Sequence, residues 1–413
     1  MGSLHAVAAS AVLLSLSPAQ TVWNATSPDL TPIFAQAAPG DIVLLSGSNS
    51  YVPFTLNKGL TLIGNPGAAI YDSSGIGQRY DSSILVPPGQ HAHLVNVNFA
   101  FSLLAQSAAG HHVAAAGSVT FDNCSFAGTI ETYSNHTENV SVAGDVRMHH
   151  CRILNHPSMT TVGLRAFSGF VSLTDCDLVG HPAGWDPFSF PWNATSGLTI
   201  VDATVVASRC TMTGGHADWD YNSNQLLPAS PGIEIIGSSG ELYLSDSTVV
   251  GGDGGPSWQT YGPGAAALAV STVGAARAEF ARNSLIGGTG TVNGPATAGN
   301  AVLVPELVGI RIDHGFVRGQ TTTVTATAGS SQLLLGIFGS LEPGLSTYPL
   351  VIEPVLQTAF GVTLATPAAG ALVTAPIAIP NVSSLLGVEA WLQALQLTSG
   401  PVRASAVVGG VVH

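Results

Sequence analysis

A short pattern of hydrophobic and polar positions recurs through the middle of the chain. An apolar residue is followed at the fourth position by a small or polar residue, at the sixth by a second apolar residue and at the eighth by Gly or Asn. The six copies are FDNCSFAG (121–128), MHHCRILN (148–155), LTDCDLVG (173–180), ASRCTMTG (207–214), LSDSTVVG (244–251) and FARNSLIG (280–287). Their aligned positions are 27, 25, 34, 37 and 36 residues apart. Because one coil of a stacked β-structure needs about 20–30 residues, the pattern predicts stacked coils of short parallel strands, with loops inserted into three consecutive coils.

The segment before the repeat reads as a cap followed by two strands. Residues 28–41 predict a short amphipathic helix with proline in its first turn, ended by Pro39-Gly40. The strand 42–45 and the stretch 54–64 come next. A capping helix, a PGD turn (39–41) and LNKGLTLIG (56–64) in that order resemble the opening of right-handed β-helix proteins of the pectin-lyase-like superfamily. This resemblance implies an all-β fold with a right-handed parallel β-helix (a solenoid).

The pattern of apolar and polar residues changes near residue 301, where the coil repeat stops. Apolar or alternating stretches at 322–327, 332–336, 350–352 and 404–412 are separated by Gly, Pro and Ser, and they predict a small antiparallel β-sandwich. Residues 379–395 resemble the ending of many secreted bacterial proteins, particularly from planctomycete-like organisms. We therefore expect a signal peptide at 1–20, a parallel β-helix with an N-terminal capping helix at 21–300 and a C-terminal β-sandwich at 301–413.

The first residues favour export. Residues 6–16 form an apolar run that is too short to span a bilayer, and Ser17-Pro18-Ala19 offers small residues at the −3 and −1 positions of a cleavage site. The preceding residues contain no Lys or Arg, so a buried first strand or cap is the alternative. No other segment is apolar and long enough to be transmembrane. The chain is expected to be secreted or held at the cell surface.

Charge narrows the classes of partner. The formal net charge is −13, with one lysine, ten arginines and no basic patch. Nucleic acid and anionic membrane surfaces need clustered positive charge, so both are poor partners. A neutral extracellular polysaccharide, a cell-surface glycan or a cation-bridged acidic polymer is easier to accommodate.

All four cysteines occupy one slot of the repeat, and strand alternation places that slot on the inner face. Buried free thiols and disulfides between adjacent coils, about 4.8 Å apart, both fit this position, whereas a one-dimensional row does not supply the tetrahedral ligands of a zinc site. The slot before it points outward and predicts a structural ladder of alternating charge. The cysteines are Cys124, Cys151, Cys176 and Cys210, and the outward slot holds His150, Asp175, Arg209, Asp246 and Arg282.

Chemistry is expected in the three inserted loops, which begin at Gly180, Gly214 and Gly251. These loops hold four of the six tryptophans, and Trp185 and Trp219 each stand five residues after the aligned glycine and just before an aspartate. Aromatic faces with adjacent carboxylates suit sugar rings, although the same aromatics could simply pack the loops together. The candidate substrate-binding residues are Trp185, Trp192, Trp219, Tyr221, Trp258 and Tyr261.

The same loops also hold candidate residues for catalysis and for metal binding. Asp186 and Asp220, on adjacent coils, could serve as the carboxyl pair of a glycoside hydrolase, while Arg165 and Arg209 are the arginines nearest the loops for a lyase. Lys58 lies in the opening structural motif and is a poor base. The chain contains none of the NTD, DD, GHG and RIK clusters that polygalacturonase-like hydrolases show. The catalytic candidates are Asp186, Asp218, Asp220, His216 and Arg209, and the candidate Ca²⁺ ligands are Asp218, Asp220 and Asp253.

Three functions remain open from the sequence. The first is non-catalytic glycan binding or adhesion through the aromatic and acidic loops. The second is a divergent polysaccharide lyase or glycoside hydrolase that uses the same loops. The third is a structural surface or filament subunit that self-assembles through them.

Overall fold

A computed structural model describes most of the chain after its first residues. The described residues are 20–47, 49–70, 82–100, 111–127, 138–154, 162–185, 191–220, 225–255, 262–271, 274–304, 307–313, 316–327, 335–340, 345–346, 355–356, 360–365, 372–382, 385, 388–397 and 402–412. The predicted signal peptide lies outside them. The chain divides into one compact unit, Val22–Pro305, and a second that includes Glu306–His413. Both units are built almost entirely of strands.

The first unit has one short helix among its described residues. In chain order its elements are β1 Val22–Ala25, α1 Thr31–Gln36, β2 Ile42–Leu45, β3 Ser50–Tyr51, β4 Thr55–Leu56, β5 Thr61–Gly64, β6 Ala69–Ile70, β7 Ser83–Ile84, β8 His91–Val95, β9 Asn98–Ala100, β10 His111–Asp122, β11 Ser125–Ala127, β12 Glu138–His149, β13 Arg152–Leu154, β14 Val162–Thr174, β15 Asp177–Val179, β16 Gly184–Trp185, β17 Pro191–Trp192, β18 Leu198–Val201, β19 Ala203–Ser208, β20 Thr211–Thr213, β21 Asp218–Asp220, β22 Gln225–Leu227, β23 Ile233–Ile236, β24 Glu241–Ser245, β25 Thr248–Val250, β26 Leu268–Val270, β27 Arg277–Ala281, β28 Ser284–Ile286, β29 Thr297–Ala298 and β30 Ala301–Leu303.

Parallel pairing arranges these strands into three columns. The first column is β1, β2, β5, β8, the C-terminal parts of β10, β12 and β14, and then β19, β24, β27 and β30. The second is β3, β6, β9, β11, β13, β15, β20, β25 and β28. The third is β4, β7, the N-terminal parts of β10, β12 and β14, and then β18, β23, β26 and β29. From β2 onward the chain visits the first, second and third columns in turn, and each visit pairs with the one before. This arrangement is compatible with a parallel β-helix.

The register of the second column confirms the alignment of the six repeats. Ser125 pairs with Arg152, Arg152 with Asp177, and Asp177 with Thr211. The same register continues through Thr248 to Ser284. Inward residues of the columns form one continuous buried cluster, in which the rings of Phe99 and Phe126 stack with centroids 4.8 Å apart. The apolar positions of the repeat are therefore the core of the coils.

A tight turn with left-handed backbone joins the first column to the second in seven coils. One residue of each turn has φ between 51° and 58°: Asn96, Asn123, His150, Asp175, Arg209, Asp246 and Arg282. Their side chains point outward and pair between coils, as the charge ladder predicted. Arg209 Nε donates to Asp175 Oδ1 at 2.8 Å, and Arg282 donates to both carboxylate oxygens of Asp246 at 2.7 and 2.9 Å. The left-handed backbone of this slot was not predicted.

The outward face of the first column is buried over several coils, although its residues are polar. His93, Thr120, Arg147 and Ser172 follow one another in register and are all 0% exposed. In the adjacent row, Arg147 Nη2 donates to Asp145 Oδ2 at 2.8 Å. The repeat predicts which positions face outward, and the structure adds that this face is covered.

The two ends of the first unit differ. Helix α1, which has proline in its first turn as predicted, packs on the first coil, and the Phe34 ring meets the Phe54 ring edge-on at 5.3 Å. Lys58 Nζ donates to the carbonyls of Phe34 and Ala37 at 2.7 and 2.9 Å, and so satisfies the end of the helix. The last coil instead leaves aliphatic side chains exposed. These are Ile286, Val302 and Leu303, with exposures of 50%, 50% and 62%.

The second unit consists of antiparallel strands. They are β31 Gly309–Ile312, β32 Thr321–Thr327, β33 Leu335–Ser340, β34 Leu345–Ser346, β35 Val355–Leu356, β36 Phe360–Ala365, β37 Leu372–Ala378, β38 Glu389–Gln396 and β39 Arg403–Val411. They form the sheets β31-β32-β37 and β36-β33-β38-β39 and the pair β34-β35. The predicted strand at 350–352 lies outside the described residues. Among the helices of the described chain, none is both long enough and apolar enough to cross a bilayer.

Candidate functional site

The three inserted loops leave the first unit at one corner, as predicted. Each begins after a strand of the second column and returns to a strand of the third column. The first runs from β15 to β18, the second from β20 to β23 and the third from β25 to β26. Because the columns are stacked in register, the loops lie one above another. We call this region the loop corner.

The first residues of the loops continue the stacking of the coils. The amides of Gly180, Gly214 and Gly251 donate to carbonyls of the next coil at 2.7, 2.8 and 2.8 Å. Three residues further on, the amides of Ala183 and Ala217 donate to the carbonyls of His216 and Asp253, both at 2.7 Å. Each loop therefore starts on a fixed base, because its backbone is held by the coil beside it.

Glycine is required at the second residue of the second and third bases and at the matching position of the next coil. A Cβ at Gly215 would lie 1.7 Å from the carbonyl oxygen of His181, and one at Gly252 would lie 1.8 Å from that of Gly215. The same distance, 1.8 Å, separates a Cβ at Gly288 from the oxygen of Gly252. The recurring glycine pairs 214–215, 251–252 and 287–288 are the sequence signal for this tight stacking. The spacing of the repeat aligns the first glycine of each pair but does not predict the role of the second.

The residues that follow these three glycines form an exposed polar row, His216–Asp253–Thr289. The Thr289 amide and hydroxyl donate to Asp253 Oδ1 at 2.7 and 2.8 Å, and His216 Nδ1 lies 3.4 Å from Asp253 Oδ2. Partial burial acts to raise the pKa of Asp253, but the hydrogen bonds from Thr289 and the nearby imidazole outweigh it, so the pKa lies below its ordinary value. Asp253 is therefore an ionised carboxylate near neutral pH.

The imidazole of His216 has a defined hydrogen-bonding role. The Asp253 amide donates to His216 Nδ1 at 3.0 Å, so Nδ1 is an acceptor and the neutral ring carries its proton on Nε2. The side chain is 54% exposed. His216 consequently offers solvent a hydrogen-bond donor. The accepting nitrogen, which a general base would need, is already occupied.

Beyond these bases, two of the loops form antiparallel hairpins. Strands β16 and β17 pair within the first loop, and β21 and β22 pair within the second. Since Ala183 stands beside Ala217, the backbones of Trp185 and Trp219 take equivalent positions on neighbouring coils, and β16 lies beside β21. The alignment of these two tryptophans, predicted from spacing, agrees with this backbone arrangement.

The second hairpin places Trp219 and Asp218 on opposite faces. Side chains alternate along a strand, so Trp219 lies on one face of β21 and Asp218 on the other. Trp219 shares its face with its cross-strand partner Leu226, and a Cβ added at Gly262 of the third loop would lie 2.1 Å from Leu226 Cδ2. Trp219 itself is half-buried. The aromatic face thus borders the third loop, and the acidic face turns away from it.

Several predicted site residues are not fully described. Asp186, Tyr221, Trp258 and Tyr261 lie outside the described residues, and for Trp185, Trp192 and Asp220 the backbone alone is described. Of the predicted Ca²⁺ ligands, Asp218 Oδ1 accepts the Trp219 amide at 2.8 Å and Asp253 accepts from Thr289. Where side chains are described, no group of three or more His, Cys, Asp or Glu residues could hold a metal ion.

Arg209 is not part of the loop corner. It precedes β20, whereas the second loop begins after β20, so it lies at the opposite end of that strand. Its guanidinium is held by Asp175 in the outward ladder. The sequence placed Arg209 near the loops because only a few residues separate them, but those residues form a strand that carries the chain from one corner to the other.

A second polar row runs beside the loop corner on the outward face of the third column. Arg165 pairs in register with Thr199, and Thr199 with Glu234. Thr199 is only 3% exposed although it points outward, and the hydroxyl of Ser196, at the end of the first loop, donates to Glu234 Oε2 at 3.4 Å. Arg165 was predicted to lie near the loops, whereas Glu234 was not predicted. Alternation along IEII (233–236) is the signal that would have found it.

Comparison with known proteins adds no family to this description. No protein-family model matches the chain, and a search of curated proteins finds no significant match. The proposed function therefore rests on the fold and the loop corner.

Proposed function

We propose that the chain is a secreted or cell-surface protein whose first unit is a right-handed parallel β-helix, related in fold to the pectin-lyase-like superfamily, and whose loop corner binds a glycan without catalysis. The second unit is proposed to be a β-sandwich that serves as an adhesion or assembly module. The three-column pairing, the capping helix and the apolar N-terminal run support this assignment.

One observation carries the glycan proposal. Trp185 and Trp219 take equivalent backbone positions on hairpins one coil apart, above bases that are held by hydrogen bonds. Two tryptophans at equivalent backbone positions, about 4.8 Å apart along the coil axis, would offer the apolar faces of sugar rings two successive aromatic partners. The exposed row His216–Asp253–Thr289 lies at the base of the same loops and offers sugar hydroxyls both donors and acceptors.

The charge of the loops favours a neutral polymer. Residues 180–197, 214–232 and 251–267 contain Asp186, Asp218, Asp220 and Asp253 and no Lys or Arg. A uronate chain would bring more negative charge to this corner with no cation to meet it. Hydroxyl groups of a neutral glycan instead donate to the carboxylates without that repulsion.

Binding is favoured over acid–base catalysis at this row. A general base needs a free acceptor within reach of the proton that it removes. His216 Nδ1 already accepts the Asp253 amide, and the lowered pKa of Asp253 makes its carboxylate a weak base. These groups are arranged to hold the loop bases and to present an Nε2–H donor.

The test is a glycan array probed with the full chain, followed by affinity measurement on the best ligand. The Trp185→Ala/Trp219→Ala double variant is expected to bind at least about tenfold more weakly, because about 1.4 kcal/mol of lost stacking corresponds to that factor. The Asp246→Asn/Arg282→Gln double variant is the control, since its ladder lies at another corner and its affinity should be unchanged. No ligand on the array, or equal affinity of both double variants, refutes the proposal.

A lyase or hydrolase at the neighbouring face is the second candidate. It rests on the row Arg165–Thr199–Glu234, which runs along the third column beside the loops. An arginine and a carboxylate two coils apart are separated by about 10 Å along the axis, far enough to bracket a sugar residue. Release of unsaturated products or reducing ends from a polysaccharide panel, lost in Glu234→Gln but retained in the tryptophan double variant, would favour this candidate over simple binding.

A further inference from the structure

The four cysteines form a straight row in the core of the first unit. They occupy one slot of four successive coils, are at most 2% exposed and are free thiols. The side chains share one orientation. Cys124, Cys151 and Cys176 lie 3.4, 3.5 and 3.2 Å from the carbonyls of Leu94, Phe121 and Met148 in the preceding coil, and every Sγ also contacts the carbonyl two residues earlier in its own coil. These contacts are Cys124 to Asp122, Cys151 to His149, Cys176 to Thr174 and Cys210 to Ser208, at 3.5, 3.3, 3.4 and 3.3 Å.

Equal orientation sets the distance between neighbouring sulfurs. If each side chain is a copy of the next, the sulfurs repeat with the spacing of the strands, about 4.8 Å. A disulfide needs its Cβ atoms about 3.5–4.5 Å apart, so it would require the coils to be drawn together. Two metal–thiolate bonds of about 2.3 Å in line span about 4.6 Å and fit the row with little movement. A row also offers only two sulfurs at each midpoint, which rules out tetrahedral coordination.

We propose that adjacent cysteines of this row bind a soft divalent cation in two-coordinate geometry, with one ion between Cys124 and Cys151 and one between Cys176 and Cys210. Thiolates are the protein ligands that soft ions select. For each ion, two S–H bonds break, two metal–sulfur bonds form and two protons leave to the solvent, with no change of oxidation state. Two thiolates and a divalent ion are neutral together, so the apolar core receives no net charge.

The protonation state of the row makes binding measurable. An unpaired thiolate is costly to bury in an apolar core, whereas a neutral thiol is not. Metal binding near neutral pH must therefore release protons. The burial of the sulfurs also means that the ion enters before the coils close, so loading is expected during refolding.

The experiment refolds the full chain with HgCl₂ and measures bound mercury by mass, released protons by a pH indicator and the sulfur–mercury absorption in the ultraviolet. Wild type is expected to bind two ions and to release two protons for each. ZnCl₂ in place of HgCl₂ is expected to leave the mass unchanged, because Zn²⁺ takes four ligands around one point.

Two double variants with equal numbers of cysteines isolate the geometry. Cys124→Ser/Cys210→Ser keeps the adjacent pair Cys151 and Cys176 and should bind one ion. Cys151→Ser/Cys176→Ser keeps two cysteines about 14 Å apart and should bind none in the core. Serine suits this slot, since Ser247 occupies it one coil further on and donates to the Ser245 carbonyl at 2.8 Å.

The possible results of this experiment distinguish metal binding by adjacent cysteines from the alternatives. Equal mercury binding by the two double variants, both of which circular dichroism must show to be folded, overturns the proposal, because proximity of the sulfurs would then be irrelevant. A metal-free wild type that is lighter by about 2 Da for each pair also overturns it, because that mass shows disulfides. Binding by the adjacent pair alone, with two protons released, supports it.

Discussion

Substitution of Gly252 by alanine tests whether the loop bases depend on glycine because of space. A Cβ at this position would lie 1.8 Å from the Gly215 carbonyl oxygen, and real Cβ atoms essentially never come within 3.0 Å of another heavy atom. The two coils must therefore separate locally by 1.2 Å or more. The clash is with backbone on both sides, so no side chain can move to relieve it.

The cost can be assembled from the contacts of this residue. The Gly252 amide donates to Ser230 O, and its carbonyl accepts from the Ala265 amide, both at 2.9 Å. Losing both bonds costs about 2 kcal/mol, and forcing an extra carbon into a packed interior adds about 1–3 kcal/mol. We expect Gly252→Ala to lower the free energy of unfolding by about 3–5 kcal/mol.

The assay is chemical denaturation followed by tryptophan fluorescence, which reports mainly on the first unit because five of the six tryptophans lie there. Gly89→Ala is the matched control. Gly89 has φ +72° and nothing within 4 Å of its would-be Cβ, so only the left-handed backbone opposes alanine, at about 1–2 kcal/mol. If Gly252→Ala costs no more than Gly89→Ala, the steric explanation of the glycine pairs is refuted.

Three further changes test other parts of the first unit. Asp253 has a lowered pKa in the folded state, so its stabilisation is present above the unfolded value of about 3.9 and is lost as pH falls through the folded value; Asp253→Asn should flatten this acid limb in unfolding measured from pH 3 to 6. Burial lowers the pKa of His91 well below its ordinary value, so stability should fall as pH drops below about 6.5, and His91→Gln should remove that decline; an unchanged profile would contradict the assignment. Phe126→Ala removes the ring stacked on Phe99 and should cost about 3–5 kcal/mol by thermal unfolding, against less for Phe126→Leu; equal losses would mean that the cavity is not the cause.

The coil architecture could be predicted because the residues at one slot of the repeat occupy the same place in the cross-section of every coil. The cysteine slot is followed by an apolar residue two positions later, and the register from Ser125 to Ser284 places these slots one above another. A repeat of this kind is visible in the amino-acid sequence alone. The loops could be predicted for the same reason, as intervals longer than a bare coil.

The corner between the third and first columns was harder to predict. Strands β10, β12 and β14 run through it without a turn, and in β12 the register shifts between Val142 and Ala143, next to Gly144 with φ 98°. A glycine inside a strand of mixed polar and apolar residues is the local sign of such a bend. The repeat has no turn residues at this corner, so the sequence predicts one continuous strand and not the passage from the third column to the first.

The site was predictable in location and not in arrangement. Spacing aligned Trp185 with Trp219, but whether Asp218 shares a face with Trp219 depends on the hairpin that Leu226 closes from across the strand. Likewise, His216 reads as a free acid or base until the Asp253 amide is seen to occupy Nδ1. The first fact depends on a cross-strand partner seven residues along the chain and the second on a residue one coil away, and a local pattern identifies neither.

The exposed aliphatic edge of the last coil implies a direction for unfolding. In a stack each coil is stabilised only by its neighbours, so the end whose aliphatic side chains are exposed should open first. Helix α1 and Lys58 close one end, whereas β28 and β30 are edge strands that leave Ile286 and Leu303 exposed at the other. Amide protons should therefore exchange in order along the chain, fastest near β30 and progressively slower toward β10, because the coils open one after another from the end that carries β30.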